Sequence, residues 1–158
     1  MSLIQYAMRI PIGEIYLVAD ARGLKGASWH EQRIELVKKL NSKQAADKFI
    51  LKAVKQLEEY FAGQRKEFDI ELTFSGTVFQ HRVWKALSQI PFGKTVAYKD
   101  IAQKIKNPKA VRAVGTANGK NPFCIIVPCH RVIAADGSIG GYGGGIPIKR
   151  QLLAIERH

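Results

Sequence analysis

The sequence predicts an α+β fold in two parts. A small N-terminal α/β domain, an antiparallel sheet with one helix, is expected over residues 1–75, and a mainly helical C-terminal domain over residues 76–158. Three observations support this division. β-prone runs fill the first third, helical spacing of apolar residues fills the second half, and the net charge differs between the two.

In the first part, residues 14–20 and 26–29 are β-prone and flank a short turn, so they predict two paired strands. Residues 46–61 place apolar side chains at a spacing near 3.6 and predict a helix, which Gly63 ends. Residues 68–74 alternate apolar and polar side chains and predict one more strand.

In the second part, the spacing of the apolar residues predicts helices. Residues 79–90 predict one helix, residues 98–105 a second, and residues 109–118 a third; the last helix is expected after Pro147. The second and third are short and joined by a tight turn, which is typical of a helix-turn-helix. Ordinary helical hairpins give the same pattern.

The charge is concentrated in the second half of the chain. The net charge is +12; residues 1–78 hold 12 Lys and Arg against 10 Asp and Glu, and residues 79–158 hold 13 against 3. A basic half indicates a surface for a polyanion such as nucleic acid. A generally basic, soluble surface is the alternative.

Several classes of protein are excluded by composition. No apolar run approaches the ~20 residues that span a bilayer, and no signal peptide is seen. Two cysteines cannot make a disulfide framework, and four scattered histidines show no zinc-ligand spacing. We therefore expect a cytoplasmic protein (nucleoid-associated if bacterial) without metal or cofactor.

One segment carries residues suited to chemistry. The apolar residues 125–127 lead into Pro128-Cys129-His130, which predicts a strand that gives way to a turn carrying a thiol. Cysteine reacts as the thiolate, and an adjacent imidazole can take its proton. Glu156 is a candidate partner for His130. A buried Cys beside a His is also common in ordinary packing, and Cys124 is interpreted as core filler.

A glycine-rich loop follows. Six of the nine residues 137–145 are glycine, so this backbone can approach a ligand closely, and we interpret it as one wall of a flat pocket. The sequence lacks the spacing of a phosphate-binding loop. A merely flexible loop is the alternative.

The run Pro128-Cys129-His130-Arg131-Val132 resembles the active-site signature of the O6-alkylguanine-DNA alkyltransferases. Further resemblances follow in the family's order and spacing: Gly76-Thr77, Val83-Trp84, Ile90-Pro91, Tyr98, Arg112-Ala113-Val114-Gly115, Asn121-Pro122, Gly140-Gly141-Tyr142, Lys149 and Glu156. The resemblance implies a ribonuclease H-like N-terminal domain and a helix-turn-helix, winged-helix-like DNA-binding element in the C-terminal domain.

The resemblance also implies a reaction. An alkyl (methyl) group would pass from O6 of guanine, and from O4 of thymine, to Cys129, irreversibly and once, after the nucleotide is flipped out of the helix. This is the activity of a methylated-DNA–protein-cysteine S-methyltransferase, a suicide enzyme of DNA repair. The implied partner is double-stranded DNA containing O6-alkylguanine, and a monomer is expected.

The resemblance implies a role for each catalytic position. Cys129 would accept the alkyl group, His130 would deprotonate it through a water, and Glu156 would hold His130. Tyr98 would protonate or hydrogen-bond the departing guanine at N3. Asn121 would brace the turn that carries the thiol.

The family also implies residues that contact DNA and the base. Arg112 would fill the space left by the flipped nucleotide, from a helix in the minor groove. The other implied DNA contacts are Thr95, Lys99, Lys109, Ala110, Val111, Ala113, Gly115 and Arg131. The implied pocket residues are Val132, Gly140, Tyr142, Gly143 and Lys149, the last bonded to the turn of Cys129.

Three other functions compete with this interpretation. Alkyltransferase-like proteins bind alkylated guanine but lack the acceptor cysteine, which is present here. A cysteine hydrolase would draw its histidine from a separate segment. A helix-turn-helix regulator would bind DNA without reacting.

Overall fold

The computed structural model describes residues 2–157. The chain divides into two compact units, Met1–Phe74 and Ser75–His158. Within the described residues, no helix has both the length and the apolar character needed to cross a membrane.

The first unit is built on a three-stranded antiparallel sheet. β1 (Ile4–Ile10), β2 (Gly13–Asp20) and β3 (Gly23–Ser28) pair in the order β1-β2-β3, with a register shift in β2 between Val18 and Ala19. Ile15, Leu17 and Ala19 alternate along β2 and are fully buried, because alternate residues of a strand share one face.

One helix covers this sheet. α1 (Ala45–Phe61) buries Ile50, Ala53, Leu57 and Tyr60 on a single face, and this face packs on the sheet. The helix predicted over residues 46–61 is confirmed.

The strands were predicted less well than this helix. β1 was not identified, and β3 begins three residues earlier than expected. The strand predicted at residues 68–74 is wrong. That segment meets β3 at one bridge, Leu24 to Leu72, and one more hydrogen bond, from the Thr73 amide to the Leu24 carbonyl. Alternation alone therefore does not make a strand where a row of backbone partners is lacking.

The second unit is mainly helical. It contains α2 (Val78–Ser88), α3 (Tyr98–Lys104), α4 (Val111–Gly119) and α5 (Ile146–Glu156). The dipeptides β4 (Val96–Ala97) and β5 (Val132–Ile133) pair in parallel. The four predicted helices are confirmed within one to three residues at most ends.

α2 is fixed at its start and along its side. The Thr77 hydroxyl accepts the Gln80 amide at 3.1 Å, and the Gln80 side chain accepts the Thr77 amide at 2.9 Å, which completes a capping box. The Trp84 indole N–H donates to the Ala117 carbonyl at 2.9 Å, so α2 is tied to α4.

α3 and α4 form the helix-turn-helix. They pack on each other and bury Ile101, Ala102 and Val114. Residues 105–110 connect them, and Lys106 in this turn adopts a left-handed conformation with φ 61°. α4 begins at Val111, later than the predicted Lys109.

The capping box gives a stability prediction. Thr77→Ala should lower the free energy of unfolding by about 1 kcal/mol, because the Gln80 amide loses its acceptor at the helix start. Urea unfolding followed by circular dichroism measures this change.

Thr116→Ala is the matched control, since the Thr116 hydroxyl donates only to the Arg112 carbonyl of its own helix. It should change stability by less than about 0.5 kcal/mol. Equal losses in the two variants would contradict the role of the cap.

Candidate active site

The chain around the thiol is folded by one asparagine. Asn121 is buried, and its Nδ2 donates to the Val127 carbonyl at 2.8 Å and to the Phe123 carbonyl at 3.3 Å. Its Oδ1 accepts the Phe123 amide at 2.9 Å. One side chain thus joins both ends of the segment that precedes Cys129.

The strand predicted at residues 125–127 is absent, and the segment is a series of tight turns. The Ile126 amide donates to the Cys124 carbonyl at 2.9 Å, and the Cys129 amide donates to the Val127 carbonyl at 2.8 Å. Ile125 has φ 72°, a left-handed conformation that is rare for a β-branched residue. The Asn121 bonds and burial hold this conformation, which costs about 1–2 kcal/mol.

Cys129 opens a one-turn 3-10 helix, Cys129–Arg131, and is 4% exposed. A hydrogen bond from Cys124 lowers the pKa of the Cys129 thiol, with further lowering from the Asn121 side chain and the charge of Lys149. Burial acts in the opposite direction. The net effect favours the thiolate, which is the reactive form of cysteine.

His130 is fully buried against the last helix. Its Nε2 lies 2.8 Å from Oε2 of Glu156, the final residue of α5. Because the carboxylate accepts, the ring proton resides on Nε2, and Nδ1 has no partner among the described residues. Burial lowers the pKa of His130 more than Glu156 raises it, so the imidazole is neutral and Nδ1 can accept a proton.

The position of Arg131 differs from the exposed, DNA-contacting position that the sequence predicted. Its side chain is buried, with Nε 2.7 Å from Glu156 Oε1, Nη2 3.0 Å from Glu156 Oε2 and Nη1 2.7 Å from the Ile90 carbonyl. The expected contact between Arg131 and DNA is therefore wrong. The guanidinium is engaged inside the protein, where it compensates the buried Glu156 charge.

Lys149 reaches the site from the first turn of α5. Its Nζ donates to the Val132 carbonyl at 2.7 Å and to the Gly141 carbonyl at 3.1 Å, joining the turn of the thiol to the glycine loop. Burial lowers the pKa of Lys149 to about 8. The Val132 carbonyl was expected to contact the base. It accepts the hydrogen bond from Lys149 and keeps a second lone pair with which it could accept another.

Tyr98, the first residue of α3, stands between two glycines. A Cβ on Gly140 would lie 3.2 Å from the Tyr98 hydroxyl, and a Cβ on Gly115 would lie 3.9 Å from its ring. Gly140 has φ 74°, which disfavours any other residue. Burial, and then the charge of Cys129, raise the pKa of Tyr98, so the hydroxyl keeps its proton.

These groups surround a pocket of about 310 Å³. Its size lies at the lower end of the range for small-molecule sites. The lining residues are Tyr98, Gly115, Asn118, Gly119, Asn121, Cys124, Cys129, Gly141, Tyr142 and Gly143. The thiol, the first residue of α3 and the glycine loop thus share one cavity.

α4 carries a surface of small side chains beside this pocket. Val111, Arg112 and Ala113 are exposed, and Gly115 lies half-buried at the pocket wall. Of the other expected DNA contacts, Thr95, Lys99 and Lys109 are exposed and Ala110 is half-buried.

The sequence interpretation missed Asn118. It is 5% exposed on the buried side of α4, lines the pocket, and its Nδ2 lies 3.4 Å from the Cys129 carbonyl. Its Oδ1 has no hydrogen-bond partner in the described chain. The sequence did contain a signal for this residue, because Asn118 is a polar side chain on the apolar face of the helix predicted over residues 109–118.

Both units match one family of proteins. Residues 4–74 match the ribonuclease-like domain of 6-O-methylguanine DNA methyltransferase, and residues 78–158 match the DNA-binding domain of the same family.

Individual proteins extend this similarity. A methylated-DNA–protein-cysteine methyltransferase from Methanosarcina acetivorans is 49% identical over 148 residues, 92% of this chain and 93% of that protein. The protein of that name from Mycobacterium tuberculosis is 61% identical over 105 residues, 66% of this chain and 64% of that protein. The crystal structure of Mycobacterium tuberculosis OGT in complex with DNA has a TM-score of 0.86 at 45% identity, covering 98% of this chain and 92% of that chain.

The buried position of Arg131 gives a second stability prediction. Arg131→Met should lower the free energy of unfolding by about 3–5 kcal/mol, because Glu156 would stay buried without its cation. Urea unfolding measures the loss.

Arg150→Met, on the exposed side of α5, is the control and should change stability by less than about 0.5 kcal/mol. If Arg131→Met were as stable as the native protein but bound DNA more weakly, the result would show that Arg131 contacts DNA, as the sequence predicted.

Proposed function

Because the chain belongs to the O6-methylguanine DNA methyltransferase family, we propose that it repairs DNA by moving an alkyl group from O6 of guanine to the sulfur of Cys129. The observation that carries this proposal is a buried thiol of lowered pKa, at the wall of a pocket and next to a histidine held by Glu156.

The transfer is a single displacement. The Cys129 thiolate attacks the alkyl carbon, a sulfur–carbon bond forms, and the carbon–O6 bond breaks with its electron pair passing to guanine. The thiol has lost one proton and the guanine gains one, so the products are a thioether and unmodified guanine. The protein offers no step that breaks the thioether, and each molecule therefore reacts once.

The relay of the proton begins at His130. Glu156 accepts from Nε2 and so leaves the lone pair of Nδ1 as the base. The neutral state of His130 suits this role, since a protonated ring could not accept the thiol proton. Arg131 and Glu156 act as positioning residues that fix the plane of the ring.

The pocket lies inside the second unit, so a stacked base cannot reach Cys129 and the nucleotide must be flipped. α4 supports such an event, since small side chains surround the long side chain of Arg112. Arg112 would enter the space that the base leaves. Tyr98, whose raised pKa keeps its hydroxyl protonated, would donate a hydrogen bond to guanine N3.

The basic second unit supports affinity for the phosphates of double-stranded DNA. Lys99, Lys109 and Thr95 are exposed and available for such contacts. Phosphate contacts depend on salt and carry little sequence information, which suits a protein that must find a rare lesion anywhere. We place its action in the cytoplasm, as a monomer, and include O4-alkylthymine among its substrates.

Mass spectrometry after mixing with duplex DNA containing O6-methylguanine tests the proposal. We expect a gain of about 14 Da, one CH2 unit, at one equivalent per protein and on the peptide that contains Cys129. Cys129→Ser should show no gain and leave the lesion in the DNA.

The same experiment separates the competing functions. Repeated turnover of the lesion would indicate a hydrolase, and binding without a mass change would indicate a non-catalytic binder. Removal of the alkyl group by the Cys129→Ser protein would overturn the assignment of the acceptor.

The pH dependence of the transfer follows from Lys149. The rate should rise with pH as the Cys129 thiol ionises, and Lys149→Met should slow the reaction at pH 7, because the charge that lowers the Cys129 pKa is removed. The difference between the rates of the native and Lys149→Met proteins should narrow as the pH rises through about 8, because native Lys149 itself loses its proton there. Single-turnover rates at saturating DNA measure both effects.

Lys85→Met, exposed on α2, is the control and should follow the native profile. A Lys149→Met defect of constant size from pH 6 to 9 would mean that Lys149 acts only through its bonds to the Val132 and Gly141 carbonyls.

A further inference from the structure

The pocket wall contains a buried hydrogen-bond acceptor that lacks a donor. Asn118, near the end of α4, is 5% exposed and lines the cavity that holds Cys129. Its Nδ2 lies 3.4 Å from the Cys129 carbonyl, and its Oδ1 has no hydrogen-bond partner among residues 2–157. Buried polar atoms of native proteins are nearly always paired, so this oxygen needs a donor that the described chain does not supply.

The orientation of the Asn118 amide is set by its neighbour. The Cys129 carbonyl is an acceptor, so it can receive only the NH2 end of the amide. A reversed amide would bring two oxygens together. Oδ1 is therefore the end of the side chain that is left for a ligand.

A second asparagine in the same wall shows the contrast. The Oδ1 of Asn121 accepts the Phe123 amide at 2.9 Å, and its Nδ2 donates to the Val127 carbonyl, so both ends of that amide are used in folding the turn. Cys124 also lines this wall and is half-buried, which corrects its interpretation as core filler, but a thiol sulfur is only a weak acceptor. Of the two asparagines, Asn118 is the one whose amide oxygen is available.

The chemistry of the lesion identifies the donor. Alkylation at O6 removes the hydrogen from guanine N1, and N3 and N7 carry lone pairs, so the exocyclic 2-amino group is the one N–H donor left on the base. A flipped base is read by hydrogen bonds to its edges. An acceptor fixed in the pocket wall therefore matches the 2-amino group and no other polar group of O6-alkylguanine.

We propose that Asn118 is a specificity-determining residue whose Oδ1 accepts a hydrogen bond from the 2-amino group of the flipped O6-alkylguanine. The proposal rests on the function of Cys129 proposed above. No covalent bond forms or breaks in this contact, so the balance of the alkyl transfer is unchanged.

The position of Tyr98 agrees with this contact. Guanine N3, to which Tyr98 would donate, and the 2-amino group are bonded to the same ring carbon, so their two partners must lie side by side. Gly115 and Asn118 are three residues apart on α4 and share one face. The Tyr98 ring lies against Gly115, where a Cβ would be 3.9 Å from it. Tyr98 and Asn118 therefore line adjacent parts of the pocket.

The contact would distinguish one lesion from another. O6-methylhypoxanthine is O6-methylguanine without the 2-amino group, and O4-methylthymine has no N–H donor either. With these bases the Asn118 oxygen would stay unpaired. A site that hydrogen-bonds a substrate N–H disfavours an analogue that lacks it, so both bases should react more slowly than O6-methylguanine.

Single-turnover rates on duplexes that differ in one base test the proposal. At protein concentrations below saturation, the native protein should react at least about tenfold faster with O6-methylguanine than with O6-methylhypoxanthine. Asn118→Leu, which is of similar size but lacks the acceptor, should lower this ratio at least about threefold, mainly by slowing the reaction with O6-methylguanine. Thr116→Ala, on the exposed side of α4, is the control and should keep the native ratio.

The ratio of the two rates separates recognition of the base from a merely structural role. Loss of the Asn118 bond to the Cys129 carbonyl would by itself slow both substrates equally, so equal slowing would overturn the proposal, as would an unchanged ratio. Equal rates of the native protein on the two lesions would also overturn it. Failure of the proposed function is a different result, because Cys129 would then gain no alkyl group from either duplex.

A measurement on the complex needs no variant of residue 118. In Cys129→Ser protein labelled with carbon-13 at the asparagine side-chain carbonyls, the Asn118 resonance should move downfield when O6-methylguanine DNA binds, because Oδ1 gains a donor. The shift should be smaller with O6-methylhypoxanthine DNA. Equal shifts with the two duplexes would overturn the proposal even if Asn118→Leu failed to fold.

Discussion

The buried carboxylate of Glu156 is the contact on which the geometry of the site depends. It accepts from His130 and twice from Arg131, and so ties the end of α5 to the 3-10 turn that carries Cys129. A carboxylate at the end of a helix is disfavoured by the helix dipole, and the buried guanidinium compensates for it. Lys149 and Glu156 are seven residues apart and therefore share one face of α5, so a single helix holds both the turn and the glycine loop.

The charges around Cys129 favour one ionisation state for each group. Burial keeps His130 neutral, Tyr98 protonated and Lys149 easily deprotonated, whereas hydrogen bonds and the Lys149 charge favour the thiolate of Cys129. Burial alone would raise the pKa of a thiol. The polar neighbours of Cys129 therefore decide its reactivity, and most of them come from the compact turn that Asn121 closes.

Periodicity predicted the helices because each buries one continuous stripe. The Pro128-Cys129-His130 run and the family resemblance identified Cys129, His130 and Glu156, and the structure brings His130 and Glu156 together. Prediction from the sequence failed where a partner distant in sequence decides the outcome. Arg131 reads as a basic surface residue, but Glu156, 25 residues later, holds it inside. Residues 125–127 read as a strand, but the Asn121 amide folds them into turns. Asn118 was missed although it lies on the buried face of a helix that the apolar spacing predicted.

Every side chain of the candidate site belongs to residues 95–156, within the second unit. We therefore expect different constraints on substitution in the two units. In Met1–Phe74, none of the described residues lines the pocket, so a replacement that preserves the sheet and α1 leaves the pocket lining unchanged. In Ser75–His158, a neutral change must satisfy packing, charge and access to the sulfur at once. Sequence divergence between distant lineages should consequently accumulate first in the N-terminal half.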